Sequence, residues 1–188
     1  RRLSEELLKG QALTKGIGRG TAHFVAGVEV FDEITLEYAS DVEAEKEVLR
    51  QAFQLAREES LQITEDASEV LPEADMGIFS VHLMLLDDPT LQQRLNHALS
   101  QDLTARFALK VVLQEFEREM GRVEDEFMRE RLADIRDVIM RLLLALERLH
   151  GQKRQGSRRH DPREDLIVVA RELLPSQLMR IPLARLAA

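Results

Sequence analysis

Along residues 42–70, apolar and small side chains return at steps of three and four: Val42, Leu49, Ala52, Phe53, Ala56, Ser60, Ile63, Ala67 and Val70, with Glu, Arg and Gln between them. That spacing lays one stripe on one face of a helix, and it predicts a long amphipathic helix from about Ser40 to Val70, ended by Pro72. Ser40 or Asp41 caps it, and Glu43 and Glu45 suit the positive end of its dipole. The same period returns over 124–149, where Phe127, Leu132, Ile135, Ile139, Leu142, Leu143 and Leu146 mark the buried side of a second long helix. Three shorter helices are predicted between them, over 73–86, 88–99 and from Asp102 or Thr104 to near Gly121. Asp88 precedes Pro89, a favoured first helical residue, so Asp88 reads as an N-cap. Two long helices bracketing shorter ones predict an antiparallel bundle.

Both ends of the chain break this period. Thr21 to Val25 is strand-like and leads to Val28, Val30 and Ile34, which predicts a short strand or hairpin. Asp165 to Ala170 contains a continuous apolar run that reads as a buried strand, and Pro175 opens a short helix. A buried strand needs a sheet, and the segment near Thr21 is its natural neighbour. The bundle is therefore expected to be an insertion between strands of a second, incomplete domain. The Gly16-Ile-Gly-Arg-Gly20 stretch has no following helix with Lys-Ser/Thr, so a tight backbone path explains it better than a phosphate loop. Gly151 to His160 is basic and polar, which predicts a linker.

Composition narrows the function. The formal charge of −8 opposes general nucleic-acid binding and favours a basic protein partner. No cysteine is present, so disulfides and Cys-type zinc sites are excluded, and a cytoplasmic protein is expected. No run has membrane-spanning length. His23, His82, His97, His150 and His160 show no repeated metal spacing; Glu147 and His150 form a single Glu-x-x-His, whereas a di-iron bundle needs two. No metal site is expected. His82 reads as a half-buried histidine at a helix edge, able to donate to a partner or a phosphoryl group, and Asp134 and Asp137 read as members of ordinary i, i+3 and i, i+4 charge pairs with Arg129, Arg131 and Arg136 on one helix.

Four segments in order carry a resemblance: Thr14-Lys-Gly-Ile-Gly-Arg-Gly-Thr-Ala22, Phe79-Ser-Val-His-Leu-Met-Leu-Leu-Asp-Asp-Pro-Thr-Leu91, residues 128–143, and Leu166-Ile-Val-Val-Ala-Arg-Glu-Leu-Leu-Pro-Ser176. Together they resemble Enzyme I of the bacterial sugar phosphotransferase system. The resemblance implies phosphoenolpyruvate–protein phosphotransferase activity in a parent protein, which passes a phosphoryl group to its own histidine and then to the small carrier HPr. It also implies a mainly α fold, an antiparallel helical carrier-binding subdomain inserted into an incomplete α/β phosphohistidine domain. Residues 1–12 would end an upstream linker helix, 13–36 and 164–188 would form the α/β part, 37–150 the helical subdomain and 151–163 a basic loop. The helical end at 1–9 is similar to the nitrogen-related branch, in which a sensory domain comes first.

By the same resemblance, the carrier surface would include Glu73, Asp75, Phe79, His82, Met84, Leu85 and Leu91. The family's active histidine lies in a Gly-Gly-x-x-Ser-His type motif that the sequence does not reach before Ala188, so this fragment is expected to bind an HPr-like phosphocarrier without catalysing transfer. Magnesium and homodimerisation are implied for the parent enzyme, with no cofactor on this fragment. Leu174 stands where the family usually has Thr, and Lys15 where proline is common. The alternative is a non-catalytic helical interaction module with an unrelated partner.

Overall fold

A computed structural model describes residues 15–25, 27–68, 77–121, 125–151, 165–171, 173–178, 181 and 186–187. The expected upstream helix, the basic loop beyond Gly151, Glu73 and Asp75 lie outside the described residues. Five helices make the bundle: α1 (Val42–Ser68), α2 (Gly77–Leu86), α3 (Pro89–Leu99), α4 (Ala105–Met120) and α5 (Glu126–Leu149). Strands β1 (Thr21–Phe24) and β2 (Leu166–Val169) flank them in sequence, and a single turn, α6 (Pro175–Leu178), follows.

The two strands are hydrogen-bonded neighbours in parallel, with Thr21 opposite Leu166 and Phe24 opposite Val169. Parallel strands need a crossover, and here the whole bundle supplies it. The pairing anticipated from the two apolar runs is present. Leu166 is buried, and the backbone N–H of Ala187 donates to its carbonyl at 2.9 Å.

Local chemistry sets the helix ends. Asp41 accepts from the Ala44 N–H at 3.1 Å, Asp88 from Thr90 at 2.7 Å and Asp125 from Phe127 at 2.9 Å. Thr104 caps α4, while Glu45 of α1 reaches across to accept from the Ala105 N–H at 2.7 Å. Each bond satisfies an amide that the helix leaves open. Inside, Ala52, Leu95, Leu99, Leu109, Val112, Val138, Ile139, Leu142, Leu143 and Leu146 form one contiguous core. The long helices α1 and α5 pack along each other, with small residues Ala52 and Ala56 of α1 in that core.

Two local expectations are corrected. Residues Val28–Glu33 form a 3-10 turn, although Val28, Val30 and Ile34 suit a strand. Adjacent Val30 and Phe31 are both buried, which an alternating strand does not permit on one face. The Glu29 carboxylate accepts from the Gly27 N–H at 3.1 Å, and Lys110 donates to the Ile34 carbonyl at 2.7 Å, fixing both ends of the turn. Phe127, placed by its period on the buried side of α5, is 61% exposed, because burial on that helix begins only at Leu132.

Candidate functional site

The helix α2 is short, apolar and set between α1 and α5. Its sequence contains ten residues with one titratable side chain, His82. Of the residues expected at a carrier surface, Met84 is 72% exposed and projects outward. Leu85 and Leu91 are buried in the core, so their part is to fix α2 and α3 in place. The Phe79 backbone belongs to α2, while its side chain lies outside what is described.

An amphipathic face surrounds Met84. Arg57 of α1 donates to the Asp87 carboxylate at the end of α2. Leu61, exposed on α1, is one turn from Arg57, and Met84 is three residues from Asp87, so two exposed apolar groups sit within a turn of this ion pair. Beside the Asp88 corner a hollow of about 200 Å³ opens, lined by Leu85, Leu91, Phe116 and Ile135, with Asp88 and Arg131 at polar positions. A second hollow, about 370 Å³, lies between α1 and α3; its cations Lys46 and Arg50 are paired with Glu43 and Glu47.

His82 corrects the sequence reading. It is 1% exposed, not half-buried at an edge, so in this packing it makes no direct contact with a docked protein. Its Nε2 lies 3.6 Å from Asp137 Oδ2 and 3.7 Å from Asp134 Oδ1, beyond hydrogen-bond length, and neither ring nitrogen has a hydrogen-bond partner among the described residues. Burial pushes the imidazole below the ordinary histidine range; Asp137 and Asp134 pull against that shift and Arg141 adds to it. Burial raises the Asp134 carboxyl, and His82 opposes it.

Asp137 is fully buried and faces His82 of α2, which corrects its reading as a member of an ordinary charge pair within α5; Arg141 beside it is 2% exposed. Arg141 donates through Nη1 to Ser60 Oγ, and that hydroxyl donates to the Ala56 carbonyl at 2.6 Å. Arg136 pairs with Glu117 of α4 at 2.9 Å, not within its own helix. The available signal was spacing: residues 134, 137 and 141 share one face of α5 at steps of three and four, beside the apolar stripe.

Glu147 of the lone Glu-x-x-His is buried, with Arg106 3.9 Å away, while His150 is exposed at the helix end. Among the described residues no group of three or more His, Asp or Glu side chains is arranged to hold a metal ion. Among them, too, no helix is long and apolar enough to cross a membrane.

The architecture defines a class: a helical bundle spliced between two paired parallel strands, with an amphipathic face left on its second helix. The chain belongs to the family described as PEP-utilising enzyme, N-terminal, whose sequence model matches residues 9–131. It is 32% identical over 179 residues to the phosphoenolpyruvate-protein phosphotransferase of Streptococcus equinus, covering 94% of this chain and 30% of the relative. The phosphoenolpyruvate-protein phosphotransferase of Bacillus subtilis is 33% identical over 175 residues, covering 89% of this chain and 29% of that protein. The chain thus spans about 30% of the length of these relatives.

Solved structures agree on the fold. A solution structure of Enzyme I matches with a TM-score of 0.62 at 30% identity, over 78% of this chain and 58% of that one. The N-terminal domain of the nitrogen Enzyme I matches with a TM-score of 0.66 at 24% identity, over 88% of this chain and 65% of the other.

Proposed function

We propose that this chain is the carrier-docking part of a phosphoenolpyruvate–protein phosphotransferase, operating in the cytoplasm. In the parent enzyme a phosphoryl group leaves phosphoenolpyruvate for a histidine of the enzyme and passes from that nitrogen to a histidine of an HPr-like carrier. The bundle holds the carrier so that the two histidines meet in line; geometry of this kind is most of what phosphoryl transfer asks of a protein. Exposed Met84 and Leu61 supply apolar anchors, and the ionic groups around them, with the chain's negative charge, suit a basic, partly apolar carrier face.

The observation that carries this reading is the exposed Met84 beside the Arg57–Asp87 pair, on the helix that the family resemblance assigns to docking. The test is an NMR titration of labelled protein with the unphosphorylated carrier of the same organism. Shifts clustered at Leu61, Ser80, Met84 and Asp87 are expected. A folded protein that shows none at millimolar carrier overturns the docking role and leaves a helical module with another partner.

A further inference from the structure

We propose that His82 is a positioning residue that seats α2 against α5 only while its imidazole is neutral, and that a proton on it releases the helix. The inference rests on the reading of α2 as the docking helix for its consequence, though not for its mechanism.

The geometry fits one protonation state. His82 is 1% exposed, and a neutral ring brings one N–H into this space, whereas an imidazolium brings two. Nε2 faces the carboxylates of Asp137 at 3.6 Å and Asp134 at 3.7 Å, which attract a charge at that nitrogen without accepting a hydrogen bond. Among the described residues Nδ1 has no acceptor and it is closed to solvent, so a proton there has no partner to bond to.

Among the described elements, α2 packs mainly against α5 and α1. From α5, Asp134 and Asp137 favour the imidazolium, while Arg141 opposes it. From α1, the neutral Ser60 hydroxyl holds Arg141, and the nearby charges Arg57 and Glu59 are engaged with Asp87 and Arg148. Nothing from α1 faces Nδ1 as an acceptor. Hydrating that N–H requires α2 to move outward, and α2 carries no other titratable side chain to hold it. Met84, two residues on, would move with it.

The test needs no carrier at first. NMR of the labelled protein from pH 8 to 5 should show the His82 ring titrating below the ordinary histidine range. The α2 amides from Val81 to Leu86 should shift, and exchange faster relative to α5, with the same midpoint. In His82→Gln the pH dependence of these amides should vanish, and in Asp134→Asn, at a partly exposed position, the His82 midpoint should fall further. Alpha-2 amides that stay fixed while His82 titrates overturn the proposal, as does an Asp134→Asn midpoint that rises.

A second arm measures carrier affinity at pH 7.5 and 5.5. Wild type should weaken relative to His82→Gln by roughly fivefold, a typical coupling between two sites. The carrier's own titration is common to both proteins and cancels. Absence of carrier binding at both pH values rejects the docking role, while the amide titration still decides the seating of α2.

Discussion

The guanidinium carbon of Arg94 on α3 lies 4.5 Å from the centre of the Phe116 ring on α4. The same group donates from both terminal nitrogens to Glu119 at 2.9 Å, so one side chain stacks on a ring and clamps a carboxylate. The bond from Arg94 pulls the Glu119 carboxyl below its ordinary range. Arg94→Lys keeps the charge but loses the fork and the flat face, and should cost about 1 kcal/mol. In a double-mutant cycle, the Arg94–Phe116 coupling should survive high salt better than the Arg94–Glu119 coupling, which is exposed and screened. Urea denaturation at low and high salt reads both.

Ser60→Ala tests the polar crossing between the long helices. The hydroxyl accepts from Arg141 and passes a bond to the Ala56 carbonyl, in a place where water does not enter. Its loss removes a hydrogen bond to a charged group, an effect of about 1.5–3 kcal/mol. Ser60→Thr keeps the hydroxyl and should retain more stability than alanine, unless the added methyl overpacks the small-residue face. Thermal unfolding of the two variants separates lost polarity from lost volume.

The bundle was legible because its signals are local and repeated. Caps at Asp88 and Thr104 announce themselves by residue type, and the stripe from Leu49 to Ala67 fits a single face. Even the β1–β2 pairing followed from elementary need, since each apolar strand lacked another partner. What stayed hidden depends on neighbours far away in sequence. Val28–Glu33 is strand-like in composition, yet Lys110 and the bundle core bend it into a turn. Asp137 and Arg141 look like solvated charges in a run of charges; only α1 and α2 folding over them makes them buried. The docking candidates divided for the same reason: Leu85 and Met84 are adjacent, one in the core and the other facing water.

Gly20→Ala should weaken the junction between the strands. A Cβ there would overlap the Asp165 carbonyl oxygen and come within 2.8 Å of its carbon. Both are backbone atoms, so neither can swing away as a flexible side chain does. The Thr21 N–H donates to that same carbonyl at 2.8 Å, the first bond of the β1–β2 ladder. Overpacking of this kind costs about 1–3 kcal/mol. Hydrogen exchange should show early loss of protection at Thr21 and Val25, with α5 amides unchanged; loss spread evenly across the protein would mean that the strands and bundle unfold as one unit.

His82 gives stability a definite dependence on pH. Its folded pKa lies below the ordinary histidine value of 6.5, so between those values the unfolded chain binds more protons than the folded one. Stability is therefore full above 6.5 and is lost as the pH falls through the folded value, by about 1.4 kcal/mol for each unit of separation. Asp134 has the opposite sign. Its folded pKa is raised above 3.8, so its cost is absent in acid and develops as the pH rises through the folded value. The windows separate the two groups, since His82 acts just below 6.5 while Asp134 acts just above 3.8. In urea titrations at a series of pH values, wild type should lose stability relative to His82→Gln as the pH falls from 6.5, and Asp134→Asn should steepen that loss by removing an attraction for the imidazolium. Parallel curves for wild type and His82→Gln across that window would mean that the imidazole titrates alike in the folded and unfolded chains.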